Sequence, residues 1–468
     1  MKTSILIFAF FFTFIQYKTP PADKMKKLDE LVSEYISGGF FSGSVIISKD
    51  GKTVFEKDYG FENKDGKKLI NKNTRFGIAS ASKMFTALSI LKFVENGKLK
   101  LEDKLSTLLP EYPFPNASEI TLYMLLSHTS GLHDYMLHPD YEERRKNFKS
   151  IDDYLKIALE VPHAALPGEK FVYSNTGYLI LQKITELISG KNYFDYIRET
   201  IWQPLQMTNT EVYFRDNKNC ATGYDYLPTG EIFQSENDNS IEIFTTSADM
   251  MKFAEALRTD KLLSSETKKV MLGIGDNVLS SNSYGLGFSL HPIYGSTVFG
   301  HSGDSPGFCA DVFISSAKGY STVVLSNYSI FSRGLHSRIM QVLNGEDYSK
   351  PVKPVSFAII EALKESGSEY VLNNFQSMLT SKGYTIPKGF GMLNNLGVML
   401  LEKGSINEAI VLFKVNASLF PGELICWLNL GETYSESGDK IKAAECFKKA
   451  LEISPDNPNA KELLSKLG

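Results

Sequence analysis

The first pattern in the sequence that could do chemistry is Ser-x-x-Lys, a serine followed three residues later by a lysine. Five copies occur, and they begin at Ser80, Ser89, Ser265, Ser315 and Ser437. The copy at Ser80 opens a long apolar helical run, where unpaired N–H groups favour a developing negative charge. One turn later the chain returns to the same face, so we expect Lys83 to supply an amine to Ser80. The backbone N–H of Ser80 would then serve as an oxyanion donor.

Lys83 needs a second group close to it if it is to accept a proton from Ser80. A free lysine is neutral only about once in 2,500 molecules at pH 7, so Lys83 needs burial or a coupled partner before it can accept a proton. Tyr173 supplies a phenol, in a segment that predicts a turn, a short extended piece and then a new helix. The ammonium could hold Tyr173 as a phenolate or share its proton, and the sequence leaves both states open. Taken alone, a tyrosine is more often a packed residue with a bonded hydroxyl.

The third element is the segment His301-Ser302-Gly303-Asp304, which comes just before the last predicted strands. Its glycine would let a substrate approach the backbone closely. If the segment lies at a strand edge, the N–H of Asp304 becomes a second oxyanion donor. A lone histidine is more often packed or exposed than catalytic, so His301 gains meaning only from its neighbours.

Positioning these groups requires a mixed fold. Gly43–Phe55 predicts two strands joined by an Asp-Gly turn, and later strands are predicted at Ala310–Ile314 and Thr322–Leu325. Helices are predicted between them at Ser82–Asn96 and Gly177–Ser189, each closed by a glycine. We therefore expect an α/β (α+β) domain, in which an antiparallel sheet is built from both ends and a helical subdomain lies between.

The C-terminal part of the chain repeats itself at an offset of 34 residues. The matching pairs are Leu396/Leu430, Gly397/Gly431, Gly404/Gly438, Ala409/Ala443, Phe413/Phe447 and Pro421/Pro455. This period resembles the tetratricopeptide repeat, in which small residues sit where two antiparallel helices approach and large apolar residues fill the gap. Two repeats are marginal, so helices at Val355–Thr380 and Ala460–Leu467 would complete the stack. Asn416 in place of Ala450 predicts poorer packing in the first copy, and an ordinary helical bundle is the alternative.

The N-terminus predicts an export signal. Lys2 precedes an apolar run from Ile5 to Ile15, which fits the roughly 7–15 residues of a secretory signal and is shorter than a membrane span. A buried N-terminal helix is the alternative. We expect a secreted or periplasmic protein with no stable membrane span. The predicted parts are a signal at 1–18, the mixed domain at 24–345, a helical linker at 346–385 and the repeats at 386–468.

The composition excludes several other classes of protein. The chain has 468 residues, with 50 Lys and Arg against 54 Asp and Glu, and a formal net charge of -4. Nucleic-acid binders that act through counterion release usually carry a basic excess, so no nucleic-acid partner is expected. Four scattered cysteines and seven histidines without ligand spacing exclude a disulfide scaffold and a zinc module. Neither a metal nor another cofactor is expected.

Three motifs, taken together, resemble the serine β-lactamase and penicillin-binding protein superfamily. They are Ser80-x-x-Lys83, Tyr173-x-Asn175 and His301-x-Gly303, in this order and with these gaps. The chain is most similar to the branch that holds class C β-lactamases, D-alanyl-D-alanine carboxypeptidases, D-aminopeptidases and related esterases. Further matching segments are Leu125–Leu132, Trp202–Thr210 and Thr246–Met250. The resemblance covers about residues 30–330 and implies the β-lactamase/transpeptidase fold.

The resemblance also implies a role for each residue of the site. Ser80 would be the acylated nucleophile and Lys83 its activating amine. Tyr173 would be the general base and later the proton donor to the leaving group. Asn175 would hold the substrate amide, and the N–H groups of Ser80 and Asp304 would form the oxyanion hole.

One departure from the family pattern concerns the substrate. Many β-lactamases and transpeptidases carry Lys-Thr-Gly where this chain has His301-Ser302-Gly303, residues that the resemblance places in substrate binding. The lysine offers a fixed positive charge, whereas a histidine with a pKa of about 6.5 is mostly neutral at pH 7. Strong recognition of a free carboxylate is therefore not expected.

The leading hypothesis is an exported serine hydrolase that cleaves an ester or amide bond through an acyl-enzyme on Ser80. The alternatives among enzymes are a D-amino-acid peptidase or carboxypeptidase, or a β-lactamase, acting on cell-wall-like substrates. A different class is a catalytically silent protein that acts through its repeats, which the intact site argues against. The substrate would be a small molecule or peptide. The repeats imply a protein or peptide partner, or a brace for the catalytic domain.

Overall fold

The computed structural model describes seven stretches of the chain. These are residues 22–214, 220–226, 232–235, 241–273, 283–293, 296–329 and 332–467. The described residues form two compact units, one within Met1–Asp225 and Gln234–Lys350 and the other within Tyr226–Phe233 and Pro351–Gly468. The predicted export signal at 1–18 lies outside the described residues. Among the described helices, none is long and apolar enough to cross a membrane.

The described elements alternate between short strands and helices in the first unit and are mainly helical in the second. The strands are β1 (Gly43–Lys49), β2 (Lys52–Tyr59), β3 (Phe61–Asn63), β4 (Lys68–Leu69), β5 (Phe76–Gly77), β6 (Glu211–Phe214), β7 (Tyr224–Tyr226), β8 (Ile232–Gln234), β9 (Ile241–Thr245), β10 (Ser289–Ile293), β11 (Ser296–Ser305), β12 (Phe308–Ser315) and β13 (Tyr320–Ser326). The helices are α1 (Ala22–Ser37), α2 (Lys83–Glu95), α3 (Leu105–Leu108), α4 (Leu122–Leu126), α5 (Tyr141–Arg144), α6 (Ile151–Ala158), α7 (Asn175–Ser189), α8 (Tyr193–Ile197), α9 (Ser247–Arg258), α10 (Ser265–Met271), α11 (Leu335–Asn344), α12 (Val355–Ser381), α13 (Gly391–Glu402), α14 (Ile406–Leu419), α15 (Leu424–Glu436), α16 (Lys440–Ile453) and α17 (Pro458–Ser465).

The first unit is built on a six-stranded sheet with the order β10-β11-β12-β13-β1-β2. Each neighbouring pair is antiparallel. Strands β1 and β13 pair from Gly43 with Ser326 to Lys49 with Tyr320, which joins the N-terminal hairpin to the late strands. The sheet is therefore assembled from both ends of the domain, and the predicted α/β (α+β) class is confirmed.

The central strands bury both of their faces. In β1, Ile46 belongs to the core that contains α2, whereas Val45 and Ile47 belong to the core that contains α1 and α11. Successive side chains of a strand point to opposite faces, so one strand supplies both cores. Because both faces of the sheet are covered, the sequences of these central strands are nearly continuous apolar runs.

Helix α2 is the centre of the helical layer and carries one of the site residues at its start. Every residue from Lys83 to Leu91 is buried, so the helix is packed all round rather than amphipathic. Phe85 packs edge-on against Trp202 and Phe253, with ring centroids 5.9 and 4.7 Å away. A helix held on all sides fixes the position of its first residue.

In the second unit, helices α13 to α16 form two helical hairpins, as the repeat predicted. Gly397 lies against Phe413, and Gly431 lies against Phe447. A Cβ on these glycines would come within 2.7 and 2.5 Å of the respective ring carbons. The close approach of paired helices is therefore present in both copies, and it requires a residue with no side chain.

Two features of this unit depart from a regular repeat. Asn416, at the position of Ala450, is fully buried, and its Oδ1 accepts no hydrogen bond from the described residues. A buried polar atom without a partner is unfavourable, although Nδ2 of the same amide donates to the Phe390 carbonyl at 3.1 Å. The poorer packing expected of the first copy stays a prediction. Helix α12 covers the helical stretch predicted over Val355–Thr380, but it is not straight. Gly367 has φ 81° and ψ 169° inside it, so two helical pieces meet at a kink.

Candidate active site

Ser80 lies in a tight 3₁₀ turn, Ala79–Ser82, that leads directly into α2. Ala79 has a φ of 42°, in the left-handed region that is unfavourable for a residue with a Cβ. Lys83 follows as the first residue of α2 and is only 7% exposed. Its Nζ donates a hydrogen bond to Oγ of Ser80 at 3.1 Å. The serine and the lysine of the pattern are therefore in direct contact.

Tyr173 approaches the same lysine from a second element. The extended segment before α7 is fixed by Val172, whose N–H donates to the His128 carbonyl at 2.8 Å, and by Ser174, whose N–H donates to His128 Nδ1 at 3.1 Å. Nζ of Lys83 lies 5.0 Å from the centroid of the Tyr173 ring. The tyrosine is 37% exposed. A phenol thus lies beside the buried ammonium while remaining accessible from solvent.

Asn175 is held between two charged neighbours. Its Oδ1 accepts a hydrogen bond from Lys83 Nζ at 2.6 Å, and its Nδ2 donates one to Asp134 Oδ2 at 2.6 Å. An ammonium can only donate and an ionised carboxylate can only accept, so the amide has a single orientation. Asp134 is therefore a residue of the site that the motifs did not identify. Its only sequence signal is its position two residues after the segment Leu125–Leu132.

Gly303 lies in the part of β11 that no longer pairs with β10. Strand β10 pairs with β11 only as far as Gly300, and the residues beyond it lie beside the Ser80 turn. A Cβ on Gly303 would lie 2.0 Å from the Ile78 carbonyl oxygen and 2.9 Å from Ala81 N. Glycine therefore allows the strand backbone, including that of Asp304, to come alongside the turn.

The side chains of this segment are tied to other parts of the sheet. Ser302 Oγ donates to Asp311 Oδ1 at 2.5 Å, and burial raises the pKa of the Asp311 carboxyl to about 6. The carboxylate of Asp304 forms a two-point ion pair with Arg333, at 2.8 and 2.7 Å. The strand therefore meets the Ser80 turn chiefly through its backbone.

His301 is buried and belongs to a hydrogen-bonded chain of three rings. Its Nδ1 donates a hydrogen bond to the Ser302 carbonyl at 2.5 Å. In the neutral ring the other nitrogen, Nε2, is then an acceptor, and it accepts a hydrogen bond from the Tyr284 hydroxyl at 2.9 Å. His128 accepts from Ser174 at Nδ1 and therefore donates from Nε2 to the Tyr284 oxygen at 3.2 Å. Both ring nitrogens of His301 are engaged within the protein.

The electrostatics of the site keep these histidines neutral. Burial, and secondarily the positive charge of Lys83, lowers the pKa of His301 to about 3. The same two causes hold the pKa of His128 well below its usual value. At pH 7 His301 therefore carries no charge with which to attract a substrate carboxylate.

The predicted residues thus divide into two groups. One group gathers around the Ser80 turn and consists of Ser80, Lys83, Tyr173, Asn175, Gly303 and Asp304. The other group, His301 and Ser302, is bonded to Tyr284 and Asp311. Tyr284, like Asp134, was missed because its partners are distant in sequence.

The described residues contain no cluster of three or more His, Cys, Asp or Glu side chains suited to a metal ion. That the protein needs no cofactor remains a prediction.

A sheet made from both ends of a domain, with a lysine-bonded serine at the start of its central helix, defines a class: serine hydrolases of the β-lactamase fold. The Beta-lactamase family model matches residues 25–343, and the chain belongs to this family. A tetratricopeptide repeat model matches residues 425–457.

Several known proteins are similar to this chain. Penicillin-binding protein 4* of Bacillus subtilis (strain 168) is 29% identical over 365 residues, covering 71% of this chain and 79% of that protein. The putative penicillin-binding protein PbpX of the same strain is 30% identical over 343 residues, covering 69% and 81%. A penicillin-binding protein structure from Bacillus halodurans has a TM-score of 0.59 at 27% identity, covering 67% of this chain and 98% of that chain. A D-amino acid amidase from Ochrobactrum anthropi SV3 has a TM-score of 0.60 at 21% identity, covering 69% and 99%, and shows the shared fold alone.

Proposed function

We propose that this protein hydrolyses an ester or amide bond through an acyl-enzyme on Ser80. The observation that carries the proposal is the position of Lys83, whose Nζ is 3.1 Å from Ser80 Oγ and 5.0 Å from the Tyr173 ring centroid. A serine hydroxyl needs an adjacent base to become a nucleophile, and this pair supplies one. Asn175 completes the arrangement by fixing the ammonium from the other side.

In the proposed reaction the Lys83–Tyr173 pair accepts the proton of Ser80 while Oγ forms a bond to the acyl carbon. The N–H groups of Ser80 and Asp304 stabilise the oxyanion. The bond to the leaving group then breaks, and the leaving group receives its proton from Tyr173. Water next attacks the ester, Tyr173 takes its proton and returns it to Ser80 Oγ, and the acid product is released.

The surroundings of His301 favour acyl donors without a free carboxylate beside the scissile bond. This position is neutral and fully bonded, so it offers no fixed positive charge. The alternative is a D-amino-acid peptidase, carboxypeptidase or β-lactamase that acts on cell-wall-like substrates, and its support is that two relatives are named as penicillin-binding proteins. We also propose export to a secreted or periplasmic location, supported by Lys2 and the apolar run after it.

The test is covalent labelling of Ser80. The protein and a Ser80→Ala variant are incubated with a fluorophosphonate probe and with a labelled penicillin, followed by intact-mass measurement. We expect one fluorophosphonate adduct on the unmodified protein and none on Ser80→Ala, whose kcat for ester hydrolysis should fall by about 10⁶-fold. A long-lived penicillin adduct would favour the cell-wall alternative, and rapid penicillin turnover would favour a β-lactamase.

A matched control is Ser265→Ala, because Ser265 begins another Ser-x-x-Lys pattern on the protein surface. This variant should keep full labelling and activity. Equal labelling of the unmodified protein and Ser80→Ala would remove Ser80 from the mechanism. Cell fractionation, with N-terminal sequencing of the mature protein, tests export, and an uncleaved cytoplasmic protein would contradict it.

A further inference from the structure

A buried carboxylate that the proposed reaction does not use lies directly behind the Ser80 turn. Glu242 belongs to β9 and is 8% exposed. Its Oε1 accepts the backbone N–H of Ala79 at 2.9 Å and the hydroxyl of Ser305 at 3.1 Å. One oxygen atom therefore joins the Ser80 turn to the end of strand β11.

The two residues that Glu242 holds are the sequence neighbours of the proposed oxyanion donors. Ala79 precedes Ser80 in the turn, and Ser305 follows Asp304 in β11. The two donors come from separate elements, so their spacing depends on whatever connects these elements. An oxyanion hole works only when its N–H groups are already placed where the charge develops.

Glu242 also accounts for the unusual backbone at Ala79. A residue with a Cβ is held in the left-handed region, at φ 42°, only when its surroundings compensate for the strain. A carboxylate that accepts the Ala79 N–H provides a strong, charge-assisted hydrogen bond for this purpose. Gly77 leaves room for it, because a Cβ there would lie 2.7 Å from Glu242 Oε1.

We propose that Glu242 is a positioning residue that sets the spacing between the N–H groups of Ser80 and Asp304. The inference rests on the proposed function of Ser80. It predicts that the carboxylate acts by accepting two hydrogen bonds and takes no part in proton transfer. A glutamine at this position can still accept both bonds through its amide oxygen, whereas an alanine can accept neither.

The experiment compares Glu242→Ala, Glu242→Gln and Ser305→Ala in ester hydrolysis. We expect Glu242→Ala to lower kcat by about 100-fold, as loss of an oxyanion donor does, with KM changed by less than about threefold. Glu242→Gln should recover activity to within about tenfold of the unmodified enzyme. Ser305→Ala, which removes one of the two bonds, should fall between the two.

A second measurement separates positioning from a general loss of structure. An aryl boronic acid forms a tetrahedral adduct with an active serine and imitates the transition state. Its affinity should fall in Glu242→Ala by about the same factor as kcat/KM. The matched control is Glu62→Ala, since Glu62 is a buried carboxylate that accepts the Thr74 hydroxyl at 2.8 Å. Its Tm should fall while its kcat stays within about twofold.

The failures of the two proposals are distinguishable. An unmodified protein that takes no fluorophosphonate at Ser80 refutes the proposed function. If Ser80 is labelled but Glu242→Ala keeps its kcat or its boronic acid affinity, the positioning role alone is wrong. A Glu242→Gln variant as inactive as Glu242→Ala would likewise overturn it, because the charge or proton of the carboxylate would then be required.

Discussion

At the scale of single residues, buried histidines link the structure to pH. His301 and His336 are both buried, and burial is the first cause that lowers each pKa to about 3. His336 lies in α11, where Nε2 and the Thr322 hydroxyl are 2.9 Å apart and its ring stacks on Phe313. In the unfolded chain a histidine has a pKa of about 6.5. Their folded-state pKa values are depressed, so their stabilising contribution is complete above about pH 6.5 and is lost as the pH falls towards 3.

We therefore predict that the free energy of unfolding decreases on acidification below pH 6.5. Each histidine that takes up a proton on unfolding adds about 1.4 kcal/mol per pH unit to the slope. Urea unfolding of the unmodified protein and of His336→Gln, from pH 7.5 to 4.5, measures how the free energy of unfolding changes with pH. The slope for His336→Gln should be smaller by about 1.4 kcal/mol per pH unit, because this variant takes up one proton fewer on unfolding.

The pH 7.5 measurement serves as the control, since position 336 is then uncharged in both proteins and the difference reports packing alone. Asp311 acts in the opposite direction. Its pKa is raised to about 6, so its contribution is present at low pH and is lost as the pH rises through 6. Both proteins contain Asp311, so its effect cancels in the comparison. Parallel slopes for the two proteins would contradict the role of His336.

The residues that the sequence predicted and those that it missed differ in the range of their contacts. Ser80 and Lys83 are one helical turn apart, so local geometry predicts their contact. Asp134 and Asn175 are 41 positions apart, and only the packing of the helical layer brings them together. No periodicity or motif spacing encodes such a pair.

At the scale of elements, the approach of β11 to the Ser80 turn depends on Gly303. We predict that Gly303→Ala lowers kcat by about 100-fold, because the new Cβ would overlap the Ile78 carbonyl and displace the strand. The overlap should also lower the free energy of unfolding by about 1–3 kcal/mol. Steady-state ester hydrolysis and urea unfolding check the two effects.

Gly177→Ala is the matched control for this substitution. Gly177 lies in α7, and a Cβ there would meet Leu125 at 3.7 Å, an ordinary contact. Alanine also favours a helix over glycine, so this variant should fold and turn over normally. A Gly303→Ala enzyme with unchanged kcat would show that the backbone of β11 does not contribute to the site.

Elements were more predictable than their connections. The Asp-Gly turn, the glycine that closes α7 and the glycine–phenylalanine pairs of the repeats all follow from local chemistry, and the structure contains each of them. The kink at Gly367 was missed because an isolated glycine is also tolerated within a straight helix. The sequence predicted Ser80 in the first turn of the helix, whereas the structure has it in a separate 3₁₀ turn, Ala79–Ser82, that precedes α2.

At the scale of the whole molecule, the two units have separate hydrophobic cores. The cores of the first unit contain residues from Leu28 to Leu343, and that of the second contains residues from Ala358 to Ala460. Helix α12 shares the second core with the repeats and is therefore part of that unit. All of the proposed site residues lie in the first unit.

This division predicts the outcome of truncation. Deleting residues 351–468 removes α12 together with the repeats, and the remaining chain should keep kcat and KM within about twofold, because domains with their own core can fold alone. Deleting only 386–468 leaves the buried side of α12, including Val371 and Phe375, without its cover, and that protein should aggregate.

Thermal unfolding of the 351–468 deletion then tests whether the repeats brace the catalytic domain. A lower Tm in the 351–468 deletion than in the full chain supports bracing, and an equal Tm favours a docking role. A folded but inactive deletion variant would contradict the division itself, because the second unit would then contribute to catalysis.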